Sequence, residues 1–575
     1  MVKIATTQSS FASSTARSEH RKGKGTTSLS STRCCGTLKP RYMALLSASL
    51  VVIVTAIMSM RASVHTFELY DNANTNVESS KQHDTAVMAS TLSQFKSGDV
   101  GNKHGSAVPK HDARENSHQR SKKTPNYHVV FSTGCDKQQE WESYVFFYHA
   151  LRVNQLGNVT RIASGCGKQI PQTKIFHETY IRNAMSDRFH IHFTPEFAFY
   201  GGQNKPNLKR PYKYMNKPHG LYHWMSSVLG KNSSRHSRYD DDIIILMDPD
   251  MILLRPIIHD YTNDDSRTIY LVNPDDEQKR GHLTTNHHHP KTSKVVTHSK
   301  LIAQHDGYLN SEWMNFNISY ITQGGSFPPY LKTLRDGGLY WNAGPPYMGT
   351  VRDMYEITRL WKEYVPRVYE EYPKLFAEMY GYIIATTQIT KPHPIVHTLV
   401  KSLVVSTTAA NGREGWSFID DNDNLPNSHV CDRYVIFNSN DNENAYKFKK
   451  KPNLPVGLHY CGRYLLGDKW FFSKYRLKKK MISCEQPLLT YPPNDSSTRY
   501  KYAVRPPPDA GTNHESETTN VSSHQAKREA FMLCGLIHGV NEAARFYKSH
   551  HCGHKGGANW NETYDFHSDP NSTRR

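Results

Sequence analysis

The sequence predicts an α/β fold with a mostly parallel sheet, and three observations lead to this prediction. Residues 128–132 and 159–164 are short, β-branched runs that are typical of strands. Between them, residues 141–151 place large apolar side chains three and four positions apart, on one face of a helix. Residues 243–247 are five consecutive apolar residues, as in a strand that is buried on both faces. The order strand, helix, strand is the usual opening of such a sheet.

The segment before this fold is predicted to anchor the chain in a membrane. Residues 1–41 carry eight lysines and arginines against one acid, and residues 42–60 are 19 residues without a charge. At about 1.5 Å per residue, a helix of this length crosses a bilayer. The basic residues before it place the N-terminus in the cytosol. We therefore predict a basic cytosolic tail at 1–41 and a transmembrane signal anchor at 42–60; a cleaved signal peptide is the alternative.

The remaining boundaries follow from composition. Residues 61–125 are polar and poor in large apolar side chains, which predicts a disordered lumenal stem. The main domain is predicted at 126–490, with a polar, histidine-rich insertion at 274–300 that is expected to be solvated. A linker at 491–525 then leads to an amphipathic helix at 526–553, and residues 554–575 are predicted to form a disordered tail.

Charge and cysteine content narrow the classes of partner. The net charge is +19, but part of the excess lies in the N-terminal tail, and no basic stripe with interleaved aromatic residues occurs in the predicted domain. We therefore expect no nucleic-acid partner. The charge is still compatible with a basic surface that faces nucleotide-sugar phosphates or an acidic matrix. Seven cysteines follow the predicted anchor without any CxxC pair, which favours disulfides over zinc in an oxidising lumen.

Two carboxylates follow the most buried predicted strand. Asp248-Pro249-Asp250 comes directly after residues 243–247, and the proline, which has no N–H, ends the strand there. Open α/β sheets bind ligands at the carboxyl edge of their strands. Two carboxylates one residue apart repel each other unless a cation lies between them, and oxygen ligands suit Mg²⁺ or Mn²⁺. The sequence thus fits either a metal site for a diphosphate or an acidic turn at the end of a strand, and both interpretations stay open at this point.

Four further segments carry candidate side chains. Lys217 and His219 lie in the first turn of a predicted helix, where anions are favoured, although solvated charges are the alternative. Residues 337–349 are rich in glycine and proline, which suits either close approach to a ligand or a structural loop. Glu378 lies within an apolar helical pattern, so it must be paired or functional. His459 is isolated in the sequence, and an isolated histidine is more often structural than a ligand.

These stretches together resemble a known family. An anchor, a stem and a strand that ends in an acid-x-acid triplet resemble Golgi glycosyltransferases of the GT-A type. More narrowly, the ordered set NKPHGLYHWM, IIILMDPDMILLRP, NAGPPYMG, EMYGYIIA and LHYCGRY resembles the hydroxyproline O-arabinosyltransferases and the related peptidyl serine α-galactosyltransferases. The resemblance covers roughly residues 127–480. It implies a GT-A (Rossmann-like) nucleotide-sugar-binding domain.

The resemblance also implies a role for each matching residue. A divalent metal ion, Mn²⁺ or else Mg²⁺, is expected to be bound by Asp248, Asp250 and His459. Asp248 would also face the ribose or a metal-bound water. Contact with the nucleotide and its phosphates falls to Arg161 and Lys217. Lining of the sugar and acceptor site falls to Asn342, Gly344 and Glu378. The arabinosyltransferases carry Glu at the position of Asp248 and another residue at that of His219, so the donor sugar stays open.

The expected function follows from these roles. The resemblance implies a metal-dependent peptidyl O-glycosyltransferase that transfers arabinofuranose or galactose from a UDP-sugar to hydroxyproline or serine hydroxyls of secreted polypeptides. A Golgi membrane location is expected, or the endoplasmic reticulum, with one N-terminal helix in the membrane. Two alternatives stay open: an enzyme with glycan or lipid acceptors, and a catalytically silent lumenal protein that binds sugars or acts as a scaffold.

Overall fold

The computed structural model describes the second of the two compact units into which the chain divides, Gln119–Arg575, in part. The described residues are 125–199, 211–231, 238–264, 293–306, 308–329, 331–390, 393–408, 414–420, 454–466, 470–492, 503–504, 519–520, 523–553 and 562–565. The predicted tail, the anchor and, apart from Pro125, the stem lie outside these residues. So do most of the insertion, of the linker and of the C-terminal tail. Within the described part, no helix has the length and apolar character to cross a bilayer.

A seven-stranded sheet is the centre of the fold, in the order β3-β2-β1-β4-β7-β6-β8. Its strands are β1 (Tyr127–Thr133), β2 (Asn158–Ser164), β3 (Phe189–Thr194), β4 (Ile243–Met247), β6 (Lys300–His305), β7 (Ala343–Thr350) and β8 (Val396–Val400). The pairs β1-β2, β2-β3, β1-β4 and β6-β8 are parallel, and β7 is antiparallel to both of its neighbours. The prediction of a mixed α/β fold with a mostly parallel sheet is thereby confirmed.

Helices cover both faces of the sheet. One face packs against α1 (Lys137–Arg152) and α9 (Ser523–His551), and the other against α3 (Asn216–Ser227), α6 (Val351–Glu371) and α7 (Ala377–Thr387). Along β4, Ile245 and Met247 join the first core, whereas Ile244 and Leu246 join the second. This double burial is the reason for the uninterrupted apolar run in the sequence.

Shorter elements complete the described part. They are α2 (Ile170–His177), α4 (Ile318–Thr322), α5 (Leu334–Tyr340), α8 (Ser417–Asp420), β5 (Met251–Leu253), β9 (Val404–Val405), β10 (Gly457–His459), β11 (Tyr464–Leu466), β12 (Trp470–Phe472), β13 (Leu488–Leu489), β14 (Ala503–Val504), β15 (Thr519–Asn520) and β16 (Thr563–Tyr564). Disulfides join Cys135 to Cys166 and Cys484 to Cys552.

Two local expectations need correction. The insertion predicted at 274–300 ends earlier than expected, because Val296 is buried in the core and β6 already begins at Lys300. The glycine- and proline-rich stretch 337–349, for which a structural loop was one of two alternatives, is not a loop in its second half, because that half belongs to the internal strand β7. Its two prolines lack N–H donors, and they fit into the strand where the register against β6 shifts.

Candidate active site

The predicted acid-x-acid triplet lies at the carboxyl edge of the sheet, between two strands. Strand β4 ends at Met247, and β5 begins at Met251, so Asp248 and Asp250 occupy the connection. Strand β10 pairs antiparallel with β5 and sets His459 opposite Met251. The backbone N–H of Tyr460 donates to the carbonyl oxygen of Asp250 at 3.0 Å. This pairing brings a histidine next to the triplet from more than 200 positions away in the chain.

Asp248, Asp250 and His459 form a group that fits a divalent cation. Each offers one ligand atom, and these atoms lie within 4.8 Å of one another. His459 Nε2 is 3.4 Å from Asp250 Oδ1 and 3.8 Å from Asp248 Oδ2. It is the one such group in the part of the chain that the structure describes. Two carboxylates and an imidazole are donors that Mn²⁺ accepts, and all three side chains are largely buried.

Each of the two aspartates also carries a lysine partner. Lys217, in the first turn of α3, places its Nζ 2.8 Å from Asp248 Oδ1. The same Nζ is 3.4 Å from Glu378 on α7. Lys474 places its Nζ 2.5 Å from Asp250 Oδ2. The site therefore holds two buried ammonium groups beside three carboxylates, which explains why so much charge is tolerated below the surface.

Burial and charge move the pKa values of these groups in different directions. Burial raises the pKa of Glu378 to about 7; Lys217 opposes this rise and Asp248 adds to it. Burial would also raise the pKa of Asp250, but Lys474 and His459 outweigh it and hold that pKa well below its usual range. Burial would lower the pKa of His459, yet Cys461 and Asp250 raise it well above the usual value. Asp250 is thus charged at neutral pH, whereas Glu378 is divided between two protonation states.

Local sequence explains how Lys217 reaches the site. Pro218 suits the first turn of a helix, which needs no N–H there, so α3 begins where Lys217 can point to the sheet edge. Gly220 lets α3 lie against β2, because a Cβ at this position would be 2.9 Å from Ile162 Cγ2. His219 is buried in the same turn and stacks on Phe197 with ring centroids 4.9 Å apart.

Arg161 lies on β2, where it is fully buried. Its Nε donates to Thr133 Oγ1 at 2.8 Å, and its Nη2 donates to the carbonyl oxygen of Gly134 at 2.8 Å. Its Nη1 has no hydrogen-bond partner among the described residues. These bonds hold the turn after β1, so the structure gives Arg161 a supporting position beside the predicted nucleotide edge. Its contact with phosphates stays a prediction.

Asn342 and Gly344 lie at the start of β7. The fully buried Asn342 accepts from Trp313 Nε1 at 3.2 Å, and its Nδ2 donates to the carbonyl oxygen of Leu309 at 3.1 Å. Its amide therefore ties the strand to the segment before α4. Gly344 faces another acid, because a Cβ there would be 2.5 Å from Asp306 Oδ2. Both residues border the site, although the ligand role predicted for Asn342 has to compete with two structural hydrogen bonds.

The structure adds residues that the sequence analysis missed. Asp306 directly follows β6, and its Oδ1 accepts from the backbone N–H of Tyr308 at 2.7 Å. Burial raises the pKa of Asp306, and Asp248 is among the charges that add to the rise. An acid after a buried strand is the same signal that identified Asp248, but it is weaker here because β6, KLIAQH, is no uninterrupted apolar run. Lys474 had no such signal, because it is one of several lysines in residues 474–480.

Comparison with known proteins agrees with the resemblance found in the motifs. No protein-family model matches the chain. The peptidyl serine α-galactosyltransferase of Arabidopsis thaliana is 22% identical over 277 residues, which are 47% of this chain and 27% of that protein. The chain thus matches only about a quarter of the length of this relative.

Solved structures also match, among them two glycosyltransferases. The galactosyltransferase LgtC, in complex with donor and acceptor sugar analogues, is 11% identical and covers 58% of this chain and 87% of its own, with a TM-score of 0.28. The bifunctional glycosyltransferase WbbM is 9% identical and covers 63% and 49%, with a TM-score of 0.27. Scores this low carry no argument about chemistry. The predicted similarity to peptidyl serine α-galactosyltransferases is therefore confirmed by sequence, over part of the chain.

Proposed function

We propose that the chain is a metal-dependent glycosyltransferase of the GT-A type that uses a UDP-sugar donor. The observation that carries the proposal is the group Asp248, Asp250 and His459 at the carboxyl edge of a mostly parallel sheet, with Lys217 and Glu378 beside it. Phosphate-bearing ligands bind at this edge of α/β sheets. The partial similarity to a peptidyl serine α-galactosyltransferase supports the same reaction class.

The residues present fit a Mn²⁺ or Mg²⁺ ion held by Asp248, Asp250 and His459. When bound, such an ion supplies positive charge that stabilises a leaving diphosphate. Lys217 adds a second positive charge at a helix N-terminus, where anions are already favoured. The buried positions of Lys217 and Glu378 keep water away from these charges and strengthen their interactions.

The proposed transfer breaks the bond between the sugar C1 and the diphosphate oxygen, and the electron pair leaves with the diphosphate. The acceptor hydroxyl oxygen forms the new bond to C1, and its proton passes to the departing diphosphate. We expect retention of the anomeric configuration, with attack on the face that the leaving group vacates. Glu378 orients the acceptor or the donor sugar in this scheme, and direct attack by its carboxylate is the less favoured variant.

The finer proposal concerns the acceptor and the cellular location. By resemblance, the acceptor is a hydroxyproline or serine hydroxyl of a secreted polypeptide, and the sugar is arabinofuranose or galactose. Residues 42–60 would anchor the protein in the Golgi membrane with the site in the lumen, where secreted acceptors pass. Protease protection of the described domain in sealed Golgi vesicles tests this orientation, and cleavage without detergent would contradict it.

The proposed function is tested with the purified full-length chain, Mn²⁺, a panel of UDP-sugars, and hydroxyproline- or serine-rich peptides. We expect donor hydrolysis and transfer, both abolished by Asp250→Ala while circular dichroism shows an intact fold. Activity that persists in this variant, or in the presence of a chelator, would refute the metal site. Glycan and lipid acceptors belong in the same panel, because the donor site is equally compatible with them. If UDP and Mn²⁺ together produce no thermal shift, the result would favour a catalytically silent lumenal protein.

A further inference from the structure

Lys474 is a buried ammonium group in contact with Asp250, and no motif singles it out. Its Nζ is 2.5 Å from Asp250 Oδ2, and its side chain is 11% exposed. It begins a short 3-10 helix, Lys474–Arg476, directly after β12. The next residue, Tyr475, is 66% exposed, so this helix lies at the surface. Lys474 therefore reaches from a surface segment into the predicted metal site.

The two lysines of the site are held differently. Lys217 lies between Asp248 and Glu378, at 2.8 and 3.4 Å, so it keeps a carboxylate partner if one of them changes. Burial would lower the pKa of Lys474, but the nearby carboxylates raise it, Asp250 most and Glu142 next. Glu142 has a partner of its own, because Gln138 Nε2 donates to Glu142 Oε1 at 3.0 Å. Asp250 is thus the main charge that holds the Lys474 ammonium in place.

Lys474 and a metal ion would share the same carboxylate. Asp250 faces His459 through Oδ1, at 3.4 Å, and Lys474 through Oδ2, at 2.5 Å. A divalent cation held by Asp248, Asp250 and His459 would therefore lie close to the Lys474 ammonium. Two positive charges that lie close together in buried surroundings repel each other strongly. The ammonium should weaken cation binding until further negative charge enters the site.

A nucleoside diphosphate brings that negative charge. Its phosphate oxygens are acceptors for both positive groups, and a lysine on a flexible stem can follow them because its ammonium is a compact point charge. We propose that Lys474 couples the two ligands: it competes with the divalent cation in the nucleotide-free protein and turns into a partner of the diphosphate when both are bound. This inference rests on the proposed function. In this scheme Lys474 contacts the diphosphate of the donor directly.

The test measures Mn²⁺ binding by calorimetry and by electron paramagnetic resonance, with and without UDP, on the full-length chain. In Lys474→Met, we expect Mn²⁺ alone to bind about tenfold tighter than in the wild type, and UDP to enhance Mn²⁺ binding about tenfold less. This factor lies within the range of about 5 to 150 that is typical of coupling between sites. In the same variant, the enhancement of UDP binding by Mn²⁺ must fall by the same factor, because such coupling is reciprocal.

Three matched variants make the result specific. Lys474→Arg keeps the charge and should keep the coupling, whereas Lys474→Gln removes the charge with a polar side chain and should behave as Lys474→Met does. Lys480→Met changes an exposed lysine six residues away and should leave both affinities unchanged. Circular dichroism and thermal melting establish that each variant is folded. If Met and Gln both unfold the chain, the Arg variant and Mn²⁺ titration of the wild type with and without UDP decide instead.

Each outcome either supports or overturns the inference. It is overturned if Mn²⁺ binds Lys474→Met no tighter than Lys480→Met, or if UDP leaves the Mn²⁺ affinity of the wild type unchanged. In that case the wild type can still bind Mn²⁺ and UDP and transfer sugar, so the proposed function survives. If neither the wild type nor any of these variants binds Mn²⁺, the metal site fails and the proposed function fails with it.

Discussion

Replacing Glu378 by glutamine should change the pH dependence of stability in a predictable way. The pKa of Glu378 rises from 4.5 to about 7 in the fold because the carboxyl group is buried. Between these values the folded state binds more protons at this site than the unfolded state does, so stability falls as pH rises. The contribution that Glu378 makes is thus fully present below pH 4.5 and is lost as pH rises through 7. Glutamine stays neutral and lacks this loss.

The size of the effect follows from the shift. One pKa unit corresponds to about 1.4 kcal/mol, so a shift of 7 minus 4.5 units costs the wild type about 3 kcal/mol at pH 8. At pH 5, where the unfolded carboxyl group is only partly charged, the cost is about 1 kcal/mol. Relative to the wild type, Glu378→Gln should therefore gain about 2 kcal/mol more unfolding free energy at pH 8 than at pH 5.

Urea denaturation of both proteins at pH 5, 6, 7 and 8 measures this difference, without Mn²⁺ or UDP. Other buried carboxyl groups titrate in both proteins, so the comparison cancels them. Glu363→Gln serves as control for the loss of one carboxylate outside the site, because the Glu363 side chain is 34% exposed and lies 3.7 Å from Lys362. The reasoning is refuted if the stability difference between wild type and Glu378→Gln is the same at pH 5 and pH 8. Transfer activity should nevertheless fall in this variant.

Three other substitutions test the supporting structure. Gly344→Ala should displace Asp306, because the new Cβ would be 2.5 Å from Asp306 Oδ2. This change should lower the unfolding free energy by about 1–3 kcal/mol and reduce activity. A stable, fully active variant would contradict this contact. Arg161→Met should cost about 2–4 kcal/mol in urea denaturation by removing two buried hydrogen bonds, and an additional rise in KM for the UDP-sugar would be the sign of phosphate contact. Paired Cys484→Ser and Cys552→Ser substitutions should lower unfolding free energy by about 2–4 kcal/mol with the metal affinity unchanged; a loss of Mn²⁺ binding would show that this disulfide also shapes the site.

Local patterns in the sequence determined the elements that place Asp248 and Lys217. The apolar run before Asp248 predicts β4, because a strand with cores on both sides has no polar alternation. The turn that places Lys217 follows from Pro218, and the predicted helix at 526–553 corresponds to α9 at Ser523–His551. These features depend on neighbours a few residues away, so one sequence is enough to find them.

The family resemblance assigned His459 to the metal site, but tertiary structure decided how this and other distant side chains meet these elements. His459 reaches Asp250 because β10 pairs with β5, and Lys474 reaches it across 224 positions of the chain. The apolar pattern around Glu378 indicates its burial, but the helices and strands whose packing raises its pKa come together only in the tertiary structure. The motifs therefore identified the carboxylates, whereas strand pairing and packing determined which charges neutralise them. Coulomb energies depend on distance in space, and a linear pattern of residues contains that distance only for near neighbours.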